Sequence, residues 1–302
     1  MSDDSDFSRR AFVGTISSAV AVGLAGCTGD QTAGDETETD ATTTERRETS
    51  TESGEPTTTA ESDTSTTAES DAYRNGVGSD ASITFEVPSA GSELTSTSVQ
   101  WNATADGATI EQSGAVSKGA GHYHVIVDTD PVTPGEVIPS DDSHIHYGSG
   151  QTDGVLELEP GDHTLHLQVG DGKHKAMDLV ETVEVTVSDD ASLSLDTSVD
   201  GSVVEWDVTA EKYTIEPSSE GISSNAGHLH AIIDTDPVPV GDVIPSDAQH
   251  VHFGDGSTSG RLDLEAQLGD EYEPGDHTIH FQVGSGTHRA TMVHTDTTVT
   301  TE

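Results

Sequence analysis

Hydrophobic and polar positions alternate one by one along the C-terminal three-quarters of this chain. Ile83, Phe85 and Val87 are separated by Thr84 and Glu86. Val183, Val185 and Val187 enclose Glu184 and Thr186, and Val204, Trp206 and Val208 enclose Glu205 and Asp207. A period of two puts all the apolar side chains of a run on one face of an extended strand, so these runs predict strands half-buried against a core. Clusters of Gly, Pro, Asp and Ser punctuate them, and no stretch beyond the N-terminal segment carries a helical period. About seven such runs recur twice, each set within roughly 110 residues. That predicts an all-β chain of two tandem immunoglobulin-like β-sandwich domains lacking the inter-sheet disulfide. Trp101 and Trp206 are the expected centres of the two cores.

The first 78 residues read differently. Ala11 to Leu24 is apolar but, at about 14 residues, too short to cross a bilayer of about 30 Å. It follows Ser8-Arg9-Arg10-Ala11-Phe12-Val13 and ends in Leu24-Ala25-Gly26-Cys27. The pair resembles a twin-arginine lipoprotein signal, which implies cleavage before Cys27, lipidation of its thiol, and a protein held by that lipid on the outer face of the cell membrane. Thr28 to Ala72 contains no Val, Ile, Leu, Met, Phe, Trp or Tyr. It cannot bury enough surface to offset ordering entropy, so residues 28–78 are expected to be a disordered Thr/Ser/Glu/Asp-rich linker. Fully extended, it would reach on the order of 150 Å. The expected organisation is therefore signal 1–27, linker 28–78, and sandwich repeats 79–190 and 191–302.

The repeats are a duplication. Gly121-His122-Tyr123-His124-Val125-Ile126-Val127-Asp128-Thr129-Asp130-Pro131 faces Gly227-His228-Leu229-His230-Ala231-Ile232-Ile233-Asp234-Thr235-Asp236-Pro237. Likewise His144-Ile145-His146-Tyr147-Gly148 faces His250-Val251-His252-Phe253-Gly254, at the same offset. After an insertion, Ala266 to Glu273, Pro160-Gly161-Asp162-His163 faces Pro274-Gly275-Asp276-His277.

Charge narrows the functions available. With 56 Asp+Glu against 11 Lys+Arg the net charge is −45, and such a field repels a polyanion, which excludes nucleic-acid binding through phosphate contacts. The acidity suits a haloarchaeal-type protein working in multimolar salt, where carboxylates hold hydration. One cysteine excludes a disulfide framework and any Cys-rich zinc site.

The chemistry lies in the histidines. All 15 fall within the two copies, and all but His294 pair across the duplication. Alternate strand residues share a face, so His122 and His124 point the same way, as do His144 and His146. Two imidazoles so placed can grip one ion, and neutral imidazole suits divalent copper, zinc and nickel. Without thiols, and with only Met177 and Met292 in the repeats, a soft cuprous site is not expected. His163 shares its face with Leu165, Leu167 and Val169 and so tips to the core side; His166 falls on the other face. Asp162 and Asp276 are candidates to orient a histidine through its second nitrogen. The competing reading makes the histidines polar ties between loops.

The run Gly-His-x-His, then Ile-Pro, His-x-His-[Tyr/Phe]-Gly-x-Gly and Pro-Gly-Asp-His-Thr, ending in a further His, resembles the exported domain-of-unknown-function family numbered 4399 (DUF4399). The resemblance covers residues 121–174 and 227–288. It singles out His122, His124, His144, His146, His163 and His174, and their partners His228, His230, His250, His252, His277 and His288. His166 and His280 stand where the family tends to have Gln. His250 to Gly256 is also similar to the copper-binding strand of copper–zinc superoxide dismutases, but the cysteine pair, the zinc loop and the active-site Arg of that pattern are missing. No protease, hydrolase, phosphate-loop or dinucleotide motif occurs, so no enzyme is expected. The leading expectation is a lipid-anchored module whose twelve singled-out histidines bind copper or zinc. The alternative is a non-catalytic surface or adhesion module.

Overall fold

A computed structural model describes residues 72–302. The expected signal peptide, the lipidation of Cys27 and the linker up to residue 71 lie outside the described residues. Repeat 1 comprises β1 (Ser82–Val87), β2 (Ser92–Leu94), β3 (Ser98–Asp106), β4 (Thr109–Ile110), β5 (Ala120–Val127), β6 (His144–Tyr147), β7 (Asp153–Glu157), β8 (Gly161–Gly170) and β9 (Ala176–Val187). Repeat 2 comprises β10 (Ser192–Asp200), β11 (Val203–Glu211), β12 (Thr214–Ile215), β13 (Ala226–Ile233), β14 (His250–Phe253), β15 (Ser259–Asp263), β16 (Asp276–Gly284) and β17 (Ala290–Thr300). The expected all-β, two-sandwich architecture is what forms.

In each repeat a small sheet faces a large one. Repeat 1 packs β1-β3-β7 against β2-β9-β8-β5-β4, with β6 also pairing β5; repeat 2 packs β10-β11-β15 against β12-β13-β16-β17, with β14 also pairing β13. The period of two explains the cores. Tyr123 and Val125 from β5 and Leu165, Leu167 and Val169 from β8 point inward onto Trp101, which is fully buried. Phe85, Tyr123 and Tyr147 meet the Trp101 ring edge-on. Truncating such a residue to alanine costs about 3–5 kcal/mol. Trp101 Nε1 donates to Tyr147 Oη at 2.9 Å, whereas Phe253 stands in that place in repeat 2 and leaves the buried Trp206 Nε1 without a partner among the described residues.

A one-turn helix, α1 (Leu264–Leu268), leads into the inserted stretch of repeat 2, where the pattern gave no helix. Five residues are too few to display a period. What starts the turn is the Asp263 carboxylate, which accepts from Ala266 N, and what anchors it is Leu264 and Leu268, both buried.

The sandwiches touch through polar contacts. Gln100 Nε2 donates to Tyr213 Oη and to Ala226 O, Thr95 N donates to Asn225 Oδ1, and Met292 N donates to Ser98 Oγ. Residues 73–78, which composition grouped with the linker, lie against repeat 1: Asn75 Nδ2 donates to Ala120 O and Asp178 N to Tyr73 O.

Candidate metal centre

The large sheet has a second face, turned away from the core, and the histidines gather there. His122 and His124 alternate with the core-facing Tyr123 and Val125, so both project outward from β5. Antiparallel pairing sets His146 of β6 directly opposite His124. On the other side of β5, His122 faces Gly170, the last residue of β8, and the turn after Gly170 carries His174 back over the same spot. The four imidazoles close on one another. His122 Nε2 and His124 Nε2 are 3.1 Å apart, and His146 Nε2 and His174 Nε2 are 3.2 Å apart. Ring centroids across the group are separated by 4.7 to 5.8 Å.

Repeat 2 builds the same object. His228 and His230 approach to 2.9 Å and His252 and His288 to 3.2 Å, again Nε2 to Nε2, with centroid separations of 4.7 to 5.8 Å. At a zinc–nitrogen distance of about 2.0–2.1 Å, adjacent corners of a tetrahedron lie about 3.3 Å apart. The closest nitrogen pairs in both repeats are near that edge.

Glycines make the approach possible. A Cβ on Gly170 would sit 3.1 Å from His124 Nε2, and one on Gly284 would sit 2.9 Å from His230 Nε2. A Cβ on Gly148 would collide with the His146 ring, and one on Gly254 with the His252 ring. His174 and His288 hold a left-handed backbone, each with φ of 65°, in a region most side chains avoid. The bond from Ile138 N to His174 O, matched by Ile244 N to His288 O, pins each turn under the loop that covers the sheet. That loop is tied in turn to Gln168, whose amide exchanges two hydrogen bonds with Val132.

The inner pair of each group is buried, while His146 and His252 are exposed and His174 and His288 half-buried. Burial, and then repulsion from the neighbouring imidazoles, brings His122 down to about 4 and His124 to about 3. The same two causes put His228 at about 4 and His230 at about 2, and lower His146 and His252. At neutral pH these rings are therefore uncharged and keep a lone pair for a ligand. The Nδ1 atoms of the inner four find no hydrogen-bond partner among the described residues, so packing rather than an acceptor sets the orientation of these rings.

Four of the twelve expected ligands do not join these groups. His163 and His277 lie on the core-side face of the sheet, opposite to the tetrads. Each gives Nδ1 to an aspartate, Asp128 at 2.7 Å and Asp234 at 2.6 Å, and Nε2 to a backbone carbonyl, Glu159 and Glu273. On His163 two acceptors on one ring favour the doubly protonated form. His163 titrates above its ordinary value because these bonds outweigh its burial. His144 and His250 are on the tetrad face but pair with Ile126 and Ile232, one row along the strand, about 7 Å away. Each turns its Nδ1 to a local carboxylate, Asp141 or Asp247, at 2.7 Å. His166 bonds Thr182 and stays outside too. Asp162 and Asp276, expected to orient histidines, instead accept from Thr186 and Thr300. Met177 is buried in the sandwich core on the other face.

Several contributors escaped the sequence reading. Gly148, Gly170, Gly254 and Gly284 make room for the rings, and Asp171 and Ser285 hold the left-handed turns. Gly148 and Gly254 did stand in the repeated motif, two residues after a paired histidine, and that was the available signal; Gly170 and Gly284 lay outside it.

A family model described as "Domain of unknown function (DUF4399)" matches residues 101–188 and 206–302, so both tetrads fall inside matched regions. Fibronectin(III)-like modules of Clostridium thermocellum CbhA are similar at 12% identity and a TM-score of 0.23, over 73% of this chain and 94% of theirs. The apo β-glucuronidase 3 of Bacteroides uniformis is similar at 8% identity and a TM-score of 0.21, over 74% of this chain and 25% of its own length. Among curated proteins none matches the chain.

Proposed function

The chain belongs to the family described as domain of unknown function (DUF4399), a description that carries no activity, and we propose from the site itself that each sandwich holds one divalent transition-metal ion, copper or zinc, on four imidazole nitrogens. The observation behind this reading is that four imidazoles gather in both repeats as two close Nε2 pairs with the same spacings, and that three of them, His122, His124 and His146 in repeat 1 and His228, His252 and His288 in repeat 2, offer nitrogens all within 4.8 Å of one another, the fourth standing beside them. The donor set fits: all imidazole nitrogen, without a thiolate or carboxylate among the four, as borderline divalent ions prefer. Two buried donors and two at the rim let an ion arrive from solvent and lose its water shell stepwise. Four protein ligands close a tetrahedral shell, whereas catalytic zinc keeps a position open, so the reading is of a binding protein rather than an enzyme. Anchoring through a lipid on Cys27 would place the two sites outside the cell, on a long tether.

The competing reading, histidines as polar ties, suits the other four expected ligands. His144, His163, His250 and His277 are each bonded to an aspartate.

The test is metal uptake by the chain, made without a histidine tag in concentrated salt and titrated with Zn²⁺ and Cu²⁺. Two ions per chain are expected, with one lost in His122→Gln/His124→Gln and the other in His228→Gln/His230→Gln. Tight binding that survives all four changes would sink the proposal.

A further inference from the structure

The weak point of each tetrad is its turn ligand. A non-glycine residue held at φ of 65° is strained and persists only where its surroundings over-determine it. We propose that this over-determination comes, in both repeats, from chain that precedes the sandwich: Tyr73 positions His174, and Asp153 of repeat 1 positions His288 of repeat 2. The functional consequence rests on the metal reading above; the clamp itself rests on geometry.

In repeat 1 the turn is organised by Asp171. One carboxylate oxygen accepts from Lys173 N at 2.8 Å and Lys175 N at 3.0 Å, which brackets His174. The other oxygen accepts from Tyr73 Oη at 2.6 Å, and Lys175 Nζ lies 4.7 Å above the Tyr73 ring. The turn is thus fastened to residue 73, outside the sandwich strands.

In repeat 2 Ser285 replaces Asp171. Its hydroxyl keeps the inner bonds, from Thr287 N at 3.3 Å and Arg289 N at 3.1 Å, but it has no second oxygen to offer an outside partner. The fastening moves to the two residues flanking His288. Thr287 Oγ1 and Arg289 Nε both donate to Asp153 Oδ2, at 2.9 and 2.7 Å, and Arg289 Nη1 reaches Gly241 O at 3.0 Å. Asp153 opens β7 of the other sandwich, paired with Asn102. The exchange goes further. Asp178 N donates to Tyr73 O in repeat 1, and its counterpart Met292 N donates to Ser98 Oγ, again a residue of repeat 1. Ala120 O receives Asn75, and its counterpart Ala226 O receives Gln100. Repeat 1 thus serves repeat 2 as residues 73–75 serve repeat 1. Despite different clamps, the turn ligand ends at the same 3.2 Å from its rim partner in both repeats. Asp153 and Tyr73 are positioning residues: neither belongs to a ligand group, and each would act through the histidine of the turn it fastens.

The test uses the full chain in two backgrounds, His122→Gln/His124→Gln, which leaves the second tetrad, and His228→Gln/His230→Gln, which leaves the first. Asp153→Ala should weaken Zn²⁺ binding by about 10- to 100-fold in the first background and leave it unchanged in the second, although Asp153 belongs to the sandwich of the first tetrad. Thr287→Val, which removes one of the two bonds without touching Asp153, should act in the same direction. Tyr73→Phe should weaken only the first tetrad. A merely structural role would move both sites together through overall stability, which the melting of each variant measures. In the metal-free chain, amide exchange at 285–289 should rise in Asp153→Ala while 171–175 stays protected, and the reverse should hold for Tyr73→Phe. Equal weakening of both sites, or unchanged exchange at 285–289, overturns the proposal. If neither background takes up zinc, the metal reading falls, and the exchange measurement still decides the clamp.

Discussion

Acid should unfold the metal-free chain through its tetrads, by an amount that can be worked out. His122 and His124 titrate near 4 and 3 in the folded protein, and His228 and His230 near 4 and 2, against about 6.5 in an unfolded chain. The folded pKa is depressed, so the unfolded state binds more protons as pH falls. The stability these four groups confer is complete above about pH 6.5 and drains away as pH drops toward the folded values. At about pH 5 each group has given up roughly 2 kcal/mol, since 1.4 kcal/mol accompanies each pH unit. Two inner histidines per sandwich then amount to about 4 kcal/mol, a large part of the 5–15 kcal/mol that holds an ordinary domain together. The assay is urea unfolding followed by Trp101 and Trp206 fluorescence in high salt with a chelator, between about pH 5 and 8. The decisive comparison is with His124→Gln/His230→Gln. Its stability should change less over that interval, by about 4 kcal/mol summed over the two sandwiches, whatever its absolute value. The many surface carboxylates are common to both proteins and cancel. If the two curves run parallel, the inner imidazoles are not held neutral by burial and the reasoning fails.

Other expectations can be checked with the same protein. Phe253→Tyr supplies the hydroxyl that Tyr147 gives Trp101, so it should satisfy the buried Trp206 Nε1 and raise the stability of repeat 2 by about 1 kcal/mol in urea unfolding. Gly148→Ala and Gly254→Ala place a methyl where the His146 and His252 rings stand; each should lower zinc affinity at its own site at least about tenfold, with the other site intact. The ion pair of His163 with Asp128 has the opposite sign to the tetrads. Its raised pKa confers stability that is complete below about pH 6.5 and lost as pH rises through the folded value, so His163→Gln should remove a stabilising contribution seen at acid but not at alkaline pH in the same unfolding series.

Much of the site was legible because strands have a period of two. The alternation put His122 and His124 on one face of β5, and the same rule put His163 with Leu165 and Leu167 on the core side. Taken to its end, that rule already separates His163 from the tetrad. The family resemblance grouped it with the others because a motif records adjacency in sequence and not the face of a sheet. His144 could not be separated that way, since it shares the parity of His146. Its exclusion follows from the register of β6 on β5 and from the carboxylate of Asp141 three residues before it.

The chain alone determined that there are two copies, that they are sandwiches, and that paired histidines share a face, because duplication and alternation are properties of the sequence as written. Tertiary structure decided how many histidines meet. His146 comes opposite His124 only through pairing between strands, and His174 reaches the group only through a left-handed turn that no periodicity encodes. The clamp on His288 belongs wholly to that second category. Asp153 and His288 are distant in sequence and lie in different repeats, so nothing local could join them, and only the packing of one sandwich on the other brings the carboxylate to Thr287 and Arg289.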